Sequence, residues 1–364
     1  MIIRIKTISN FKEEKEATMK KLQTFVSILA LASAASIAQS AEWKPLPGKA
    51  PEPADNPTTP AKVKLGKILF LDPRLSSTGT VSCNSCHNVM AGGEDNRPVA
   101  AGVHGKTGGR SAPTVWNSAF NSVQFWDGRA KSLEDQARGP VTNPIEMGMK
   151  SWDDVVARLK QIPEYPQLFK AAFGNDAEIT EDNAVKAIAA YERTLITPNS
   201  PYDKYVKGNK TALNDQQVKG MQTFAEVGCI NCHSGPAFNG PELPEGQGFF
   251  MKFPTFDNPY FEGKYKFKDD MGRYEVTKKE EDKHMFKVPT LRNVALTAPY
   301  FHNGAVKTLD EAVKVMAKLQ LNKDLSKQQI DDIVAFLNAL SGPFPKQEMP
   351  RLPATPGKTF NYVK

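Results

Sequence analysis

Cysteine and histidine are scarce in this chain, which has four Cys and five His among 364 residues. All four cysteines lie in two Cys-x-x-Cys-His pentapeptides, Cys83–His87 and Cys229–His233. No cysteine is left over for a disulfide framework, so the chain is not a disulfide-stabilised scaffold. Its stability has to come from a hydrophobic core, for which this length is ample.

Long tracts of one charge are also missing. The formal net charge of +7 is mild for a chain of 364 residues. No basic cluster alternates with aromatic side chains, which is the pattern expected of a nucleic-acid-binding surface. Nucleic acid is therefore not an expected partner.

The N-terminal region has the pattern of an export signal. A basic start at Met19–Lys21 precedes a short apolar run, Leu22–Ala35, and the small residues of Ala38–Ser40 suit a signal peptidase. The run is short for a membrane span, although an uncleaved membrane anchor is the alternative. Residues 1–40 are predicted to be an N-terminal extension and a cleaved signal peptide, which implies an exported protein.

The Cys-x-x-Cys-His spacing has one dominant chemical use. The two thiols add to the vinyl groups of a haem, and the adjacent His becomes a ligand of its iron. The residues concerned are Cys83, Cys86 and His87 in the first motif, and Cys229, Cys232 and His233 in the second. One zinc ion bound by four thiolates is the alternative, but it gives no reason for either His. The sequence thus predicts two covalently bound c-type haems.

The chain has the pattern of an internal duplication. A Gly-x-x-x-Phe segment precedes each haem motif, beginning at Gly66 and at Gly220. Each half ends in an amphipathic helix, predicted over Ile179–Thr197 and over Leu325–Leu340. A glycine-bearing first helix crossing a last helix resembles the class I cytochromes c. The predicted fold is all-α, with two such haem domains and minimal strand content.

A further repeat lies inside the two halves. Residues 113–137 align without gaps with residues 289–313, and eight of the 25 positions are identical, which supports the duplication. The second half has an extra stretch, residues 241–283, which we predict to be a surface excursion. The haem domains are placed at residues 41–197 and 198–342. An extended tail, residues 343–364, is predicted to pack on the first domain.

The two halves differ at the residue expected to be the second axial ligand of the haem iron. Met316 follows the repeat in the second half, in a helix predicted over Leu309–Leu321, and the aligned residue of the first half is Pro140. A thioether ligand raises the potential of a haem, whereas proline cannot ligate. The second haem is therefore expected to carry electrons and the first to be open to a small ligand. The alternative is that Met316 is only a core residue.

Three further residues of the first half are candidates for chemistry. His104 lies in a Gly-rich loop that can move at low cost, so it is either a displaceable ligand or a solvated surface residue. Glu146 lies in an otherwise apolar turn, where desolvation raises a carboxyl pKa and suits proton transfer. The alternative is an exposed Glu at a helix start. Trp126 lies where the repeats should meet, and it either shortens the electron path or only packs.

These features resemble the bacterial di-haem cytochrome c peroxidases. The matching segments span nearly all of the chain after residue 40 and, besides the two haem motifs, they are Leu65–Phe70, Phe125–Arg129, Asn143–Gly148, Phe286–Asn293 and Pro299–Gly304. The resemblance implies that the first haem is peroxidatic and that the second accepts electrons. It makes His104 the displaceable distal ligand of the first iron and Met316 the distal ligand of the second. It also places Glu146 and Gln136 in the peroxide pocket and Trp126 between the haems.

The resemblance further implies a calcium ion and particular partners. The calcium ion is bound by main-chain oxygens at Thr297 and Pro299, with a side chain near Ser111, where the family often has Asn instead. The implied partners are hydrogen peroxide, a small periplasmic electron donor that is a cytochrome c or a copper protein (a cupredoxin), and a second copy of the chain in a homodimer.

The expected function is reduction of hydrogen peroxide to water with electrons from this donor. One alternative is a di-haem electron-transfer cytochrome without catalysis. It predicts two haems whose irons have no coordination site open to a small ligand, and no catalytic role for Glu146. Another is a related di-haem enzyme that matures a tryptophan-derived cofactor in a partner protein. Such enzymes have Tyr where this chain has Met316, which favours the peroxidase.

Overall fold

Helices account for nearly all of the regular structure. The computed structural model describes residues 43–355 and Gly357, so the signal predicted over residues 1–40 lies outside the described residues. In the described part the helices are α1 (Pro60–Leu71), α2 (Cys83–Cys86), α3 (Leu133–Thr142), α4 (Trp152–Lys160), α5 (Tyr165–Phe173), α6 (Glu181–Glu192), α7 (Pro201–Val206), α8 (Asp215–Val227), α9 (Pro259–Tyr265), α10 (Tyr274–Thr277), α11 (Leu309–Leu321) and α12 (Lys327–Ala339). Two short strands, β1 (Phe250–Lys252) and β2 (Met285–Lys287), pair antiparallel. The predicted all-α class with minimal strand content is confirmed. Within the described residues, no helix is both long enough and apolar enough to cross a membrane.

Side-chain caps set where the main helices begin. The hydroxyl of Thr180 accepts the main-chain N–H of Asn183 at the start of α6. Ser326 and Gln329 form the capping box predicted for α12, each side chain accepting the other residue's main-chain N–H. These caps satisfy N–H groups that have no partner inside the helix, so local sequence alone determines both starts.

Helix α1 crosses α6, and helix α8 crosses α12, each at a glycine. A Cβ atom at Gly66 would lie 1.8 Å from the carbonyl oxygen of Ala187, and one at Gly220 would lie 1.8 Å from that of Asp332. Only glycine allows the two backbones to approach so closely. Both halves therefore contain the glycine-bearing crossing expected from the sequence, while the duplication itself stays a prediction.

We expect Gly66→Ala to destabilise the protein by about 1–3 kcal/mol or more, the usual cost of overpacking a core. The added methyl group would overlap the Ala187 carbonyl, so α1 and α6 would have to move apart. Urea unfolding measures the loss of free energy. Gly48→Ala is the matched control, because a Cβ atom there meets nothing within 4 Å. Equal stabilities of Gly66→Ala and the wild type would contradict the close crossing.

The surface excursion predicted for residues 241–283 is only partly correct, because most of the stretch is exposed or half-buried but part of it belongs to the core. Phe261 and Phe267 of this stretch are buried and pack in one cluster with Val315 of α11. Strand β1 also belongs to the stretch and pairs with β2. Its many charged residues suggested a solvated loop, but four of its aromatic side chains are buried in the core of the second half, whereas Phe256 and Tyr260 are exposed.

The chain after α12 is extended and contacts residues of the first half. The side-chain oxygen of Gln347 accepts the Tyr191 hydroxyl at 3.0 Å, and the carbonyl oxygen of Pro353 accepts a guanidinium N–H of Arg74 at 2.9 Å. Leu352 packs against the hydrophobic core of that half. The described part of the tail thus packs against the first half, at Arg74 and at Tyr191 of α6.

Candidate functional site

Two cavities hold the two haem motifs. The larger has a volume of about 1000 Å³ and is lined by Cys83, Cys86 and His87, among others. The smaller has a volume of about 240 Å³ and is lined by Cys229, Cys232 and His233, among others. Because the two cysteine pairs line different cavities, they do not meet in a zinc site with four thiolates.

A main-chain carbonyl orients the ring of each motif histidine. His87 Nδ1 lies 3.0 Å from the carbonyl oxygen of Pro113, and His233 Nδ1 lies 2.9 Å from that of Phe238. With Nδ1 donating its proton, Nε2 keeps the lone pair that a metal needs. Burial lowers the pKa of both rings, so they stay neutral and able to ligate.

The motif thiols do not resemble reactive or zinc-bound thiolates. Burial raises the pKa of the Cys86 thiol to about 11, and it raises the pKa of Cys83 as well. A raised pKa disfavours the thiolate that nucleophiles and metal ligands require. No cysteine forms a disulfide. These properties do not favour redox or zinc chemistry at the motif cysteines.

Buried polar atoms on the cavity walls support a haem in each cavity. Glu192 Oε2, on the wall of the larger cavity, and His302 Nε2, on the wall of the smaller one, are buried without a hydrogen-bond partner. Buried polar atoms normally have a partner. Burial raises the pKa of Glu192 to about 8, so its neutral carboxyl group can donate an O–H to a haem carboxylate, and the neutral His302 ring can donate its Nε2–H to another. The residues present therefore fit a haem at both sites.

Glu146 and Gln136 lie on the wall of the larger cavity, and their place in a peroxide pocket stays a prediction. Asn143 donates its side-chain N–H to Glu146 Oε1 at 2.7 Å. Burial raises the pKa of the Glu146 carboxyl, while Arg129 and the bond from Asn143 act to lower it. One oxygen is thus held in place, and the other is available for proton exchange.

His104 does not belong to this wall. Its backbone has φ 57°, in the left-handed region, and the residue is exposed to solvent. The base of its loop is anchored, because the Val103 N–H donates to the carbonyl oxygen of Glu146 at 2.8 Å. A Cβ atom at Gly102 would lie 2.2 Å from the carbonyl oxygen of Ile145. The structure therefore has this loop in an arrangement with His104 outside the cavity.

Some residues line both cavities, and we call them the shared wall. They are Ser111, Ala112, Pro113, Thr114, Asn121, Trp126, Lys287 and Pro289. The indole N–H of Trp126 donates to the carbonyl oxygen of Ser111 at 2.9 Å, which fixes the ring. The main-chain N–H of Lys287 donates to the carbonyl oxygen of Trp126 at 2.8 Å. Trp126 thus lies on the wall that both cavities share.

Two methionines line the smaller cavity with His233. Met316 projects from α11, as predicted, and Met251 belongs to β1. Both are half-buried. The sequence pattern singled out Met316 through its alignment with Pro140, and it gave no reason to place Met251 in the same cavity.

The residues proposed for calcium also lie on the smaller cavity. Ser111, Thr297 and Pro299 all line it. So does Glu94, which is only 3% exposed and whose Oε1 has no partner. Burial raises the pKa of this carboxyl to about 7. No cluster of three or more His, Cys, Asp or Glu side chains suited to a metal occurs in the described residues, so main-chain oxygens would have to contribute.

Sequence reasoning missed several charged residues of these cavities, including Glu94, Lys287 and Glu192. Lys287 had a usable signal, because a lysine between Phe286 and Val288 breaks an apolar segment. Glu192 had none, since a Glu in an amphipathic helix is ordinarily on the solvent side.

Comparison with known proteins identifies the family. Residues 60–211 match the family model described as di-haem cytochrome c peroxidase. The chain is 42% identical to the cytochrome c551 peroxidase of Nitrosomonas europaea, over 94% of this chain and 98% of that protein. It is 47% identical to the cytochrome c peroxidase Ccp of Escherichia coli, over 80% of this chain and 60% of that protein. The chain therefore belongs to the di-haem cytochrome c peroxidase family, and the resemblance inferred from its sequence is confirmed.

More distant relatives share the fold. The methylamine utilization protein MauG of Methylorubrum extorquens is 34% identical, over 84% of this chain and 86% of that protein. The crystal structure of a MauG-like protein associated with microbial copper homeostasis superposes with a TM-score of 0.71 at 28% identity, covering 84% of this chain and 95% of that chain. Membership of a di-haem family agrees with the two haem motifs in two cavities.

Proposed function

We propose that this protein is a periplasmic peroxidase that reduces hydrogen peroxide to water with electrons from a small cytochrome c or a copper protein. The observation that carries the proposal is the larger cavity, where the first haem motif shares a wall with Glu146 and Gln136. His104 lies outside that wall, so in this arrangement it would leave room for a small ligand in the larger cavity. Family membership supports the same reaction.

Two cysteines and a histidine would hold each haem. Cys83 and Cys86 would form thioethers in the larger cavity, and His87 Nε2 would ligate the iron. Cys229, Cys232 and His233 would do the same in the smaller cavity, where Met316 would be a second ligand. When bound, the two haems supply the redox chemistry, since each iron exchanges one electron at a time.

Glu146 moves the proton in the overall reaction, H2O2 + 2 H⁺ + 2 e⁻ → 2 H2O. Asn143 holds its Oε1, so Oε2 takes the proton from one peroxide oxygen and returns it to the other, which leaves as water. This is general acid–base catalysis by one carboxyl group. Gln136, on the same wall, orients the peroxide and stabilises developing charge through its amide N–H. Trp126 provides the path for electrons across the shared wall.

We further propose that the protein binds calcium, forms a homodimer and consists of two haem domains. Calcium prefers oxygen ligands, and Ser111, Thr297 and Pro299 can supply them beside the unpartnered carboxylate oxygen of Glu94. Calorimetric titration of calcium into chelator-treated protein tests the metal, and light scattering tests the dimer. If the same heat is released without protein, calcium binding is contradicted. A monomer mass in light scattering would contradict the homodimer. The division into haem domains is tested by expressing residues 41–197 and residues 198–342 separately. Each part should retain its haem.

The test of the proposed function is peroxide-dependent oxidation of a reduced donor. The purified holoprotein is mixed with peroxide and either a reduced small cytochrome c or a reduced cupredoxin, and donor oxidation is followed by absorbance. Two donor molecules should be oxidised for each peroxide consumed. A protein that exchanges electrons with the donor but consumes no peroxide would instead be an electron-transfer cytochrome.

We expect His104→Gly to keep the first haem high-spin and reactive with peroxide in the fully oxidised protein. Because the loop base is anchored at Glu146 and the His104 ring is exposed, the ring can enter or leave the cavity by a local change at the loop tip. Electron paramagnetic resonance of oxidised wild type and variant compares the spin states. Lys106→Gly alters the same loop and should behave as the wild type. A low-spin first haem in His104→Gly would show that another side chain closes the site.

A further inference from the structure

Lys287 is a buried lysine on the shared wall. It ends β2, it lines both cavities, and only 9% of its surface is exposed. Its main-chain N–H donates to the carbonyl oxygen of Trp126 at 2.8 Å, so its position is tied to the residue between the two haem sites. Nothing in the reaction proposed above uses it.

The ammonium group of Lys287 has no partner among residues 43–355. No hydrogen bond or ion pair involves its Nζ atom, and burial lowers its pKa to about 8 with no carboxylate to offset the effect. Arg110, another cation on the larger cavity, is in the opposite situation. Its guanidinium group lies 2.5 Å from a carboxylate oxygen of Asp127 and 2.6 Å from one of Asp270.

An unpaired ammonium group in a buried site is costly unless an anion accompanies it. The anion has to reach a point that borders both cavities, and it has to accept hydrogen bonds from a primary ammonium group. Each haem carries two propionate carboxylates, which have this charge and this acceptor chemistry. A surface anion from solvent does not explain why the lysine lies on the wall between two haem motifs.

We propose that the Lys287 ammonium group binds a haem propionate carboxylate at the shared wall and raises the reduction potential of that haem. The proposal rests on the proposed function only in requiring haems in the two cavities. A cation near an iron stabilises the extra electron of the reduced state, and the effect is large where water is excluded. Lys287 is therefore a positioning residue that adjusts the electron path next to Trp126, and not a catalytic residue.

The test is a spectroscopic redox titration of the holoprotein carrying Lys287→Gln, Lys287→Met or Lys287→Arg. Loss of the cation should lower the potential of at least one haem by the equivalent of a tenfold or larger change in its reduction equilibrium, which is about 59 mV for one electron. Lys287→Arg keeps the charge and should stay near the wild-type potentials. Lys307→Gln removes an exposed lysine of the same half and should change neither potential.

The outcomes separate this proposal from the proposed function. Unchanged potentials in Lys287→Gln and Lys287→Met, with both haems present, would overturn the role of Lys287 and leave the peroxidase intact. A wild type without two haems would instead contradict the proposed function. Haem loading that fails in the Gln and Met variants but not in Lys287→Arg also supports the propionate contact. Failure of all three variants to load haem would indicate a packing role and overturn the proposal.

Discussion

Glu146→Gln is expected to slow peroxide reduction by about 10²- to 10⁴-fold, the usual contribution of a general acid–base group. The amide keeps the shape of the side chain but cannot exchange a proton with peroxide. Burial raises the pKa of the wild-type carboxyl, so the ionised form that accepts a proton appears only as the pH rises through that raised value. The rate of the wild type should therefore increase with pH over this range, and the variant should lose that dependence.

Stopped-flow mixing with peroxide at several pH values measures both effects. Glu178→Gln is the matched control, because it makes the same change at an exposed position of the first half. Equal haem absorbance in the three proteins excludes a loading defect. Wild-type rates in Glu146→Gln would assign the proton transfer to a different residue of the larger cavity.

Met316→His should lower the potential of the second haem by about 0.1 V or more, within the roughly 0.8 V range that axial ligands span. A thioether favours ferrous iron, whereas imidazole favours the ferric state more strongly. The change should slow electron delivery to the first haem while leaving the protein folded. A redox titration followed at the absorption bands of each haem gives the two potentials separately.

Met251 provides the control for this assignment. It lines the smaller cavity as Met316 does, but it projects from β1 rather than α11. Met251→His should leave the potential of the second haem close to its wild-type value. A large shift in Met251→His and none in Met316→His would make Met251 the ligand.

Local sequence was enough to predict several of the helices and the haem motifs. The Cys-x-x-Cys-His spacing brings both thiols and the imidazole to one side of a single turn, as in α2 (Cys83–Cys86) followed by His87. Capping at Ser326 and the periodicity of α12 likewise depend on residues three or four positions apart. Such features are encoded in neighbouring residues, so they can be predicted without knowledge of the fold.

The placement of Met316 and Trp126 also followed from the sequence, because the repeat aligned one half with the other. Reasoning from the sequence was incomplete for residues 241–283. Their charges suggested a loop, but burial of Phe261 and Phe267 depends on contacts with α11, about 50 residues further along the chain. The repeat contains no counterpart of this stretch, so no comparison between halves could correct the interpretation.

The sequence by itself determined that the protein carries two haem motifs, that its core is helical and that Glu146 lies in an apolar turn. Only the tertiary structure decided that His104 lies outside the larger cavity and that Lys287 reaches the wall beside Trp126. Lys287 and Trp126 are far apart in the chain and meet through a main-chain hydrogen bond of 2.8 Å. Such a contact depends on how distant segments cross, since burial and unpaired charge are properties of the assembled surroundings and not of local spacing.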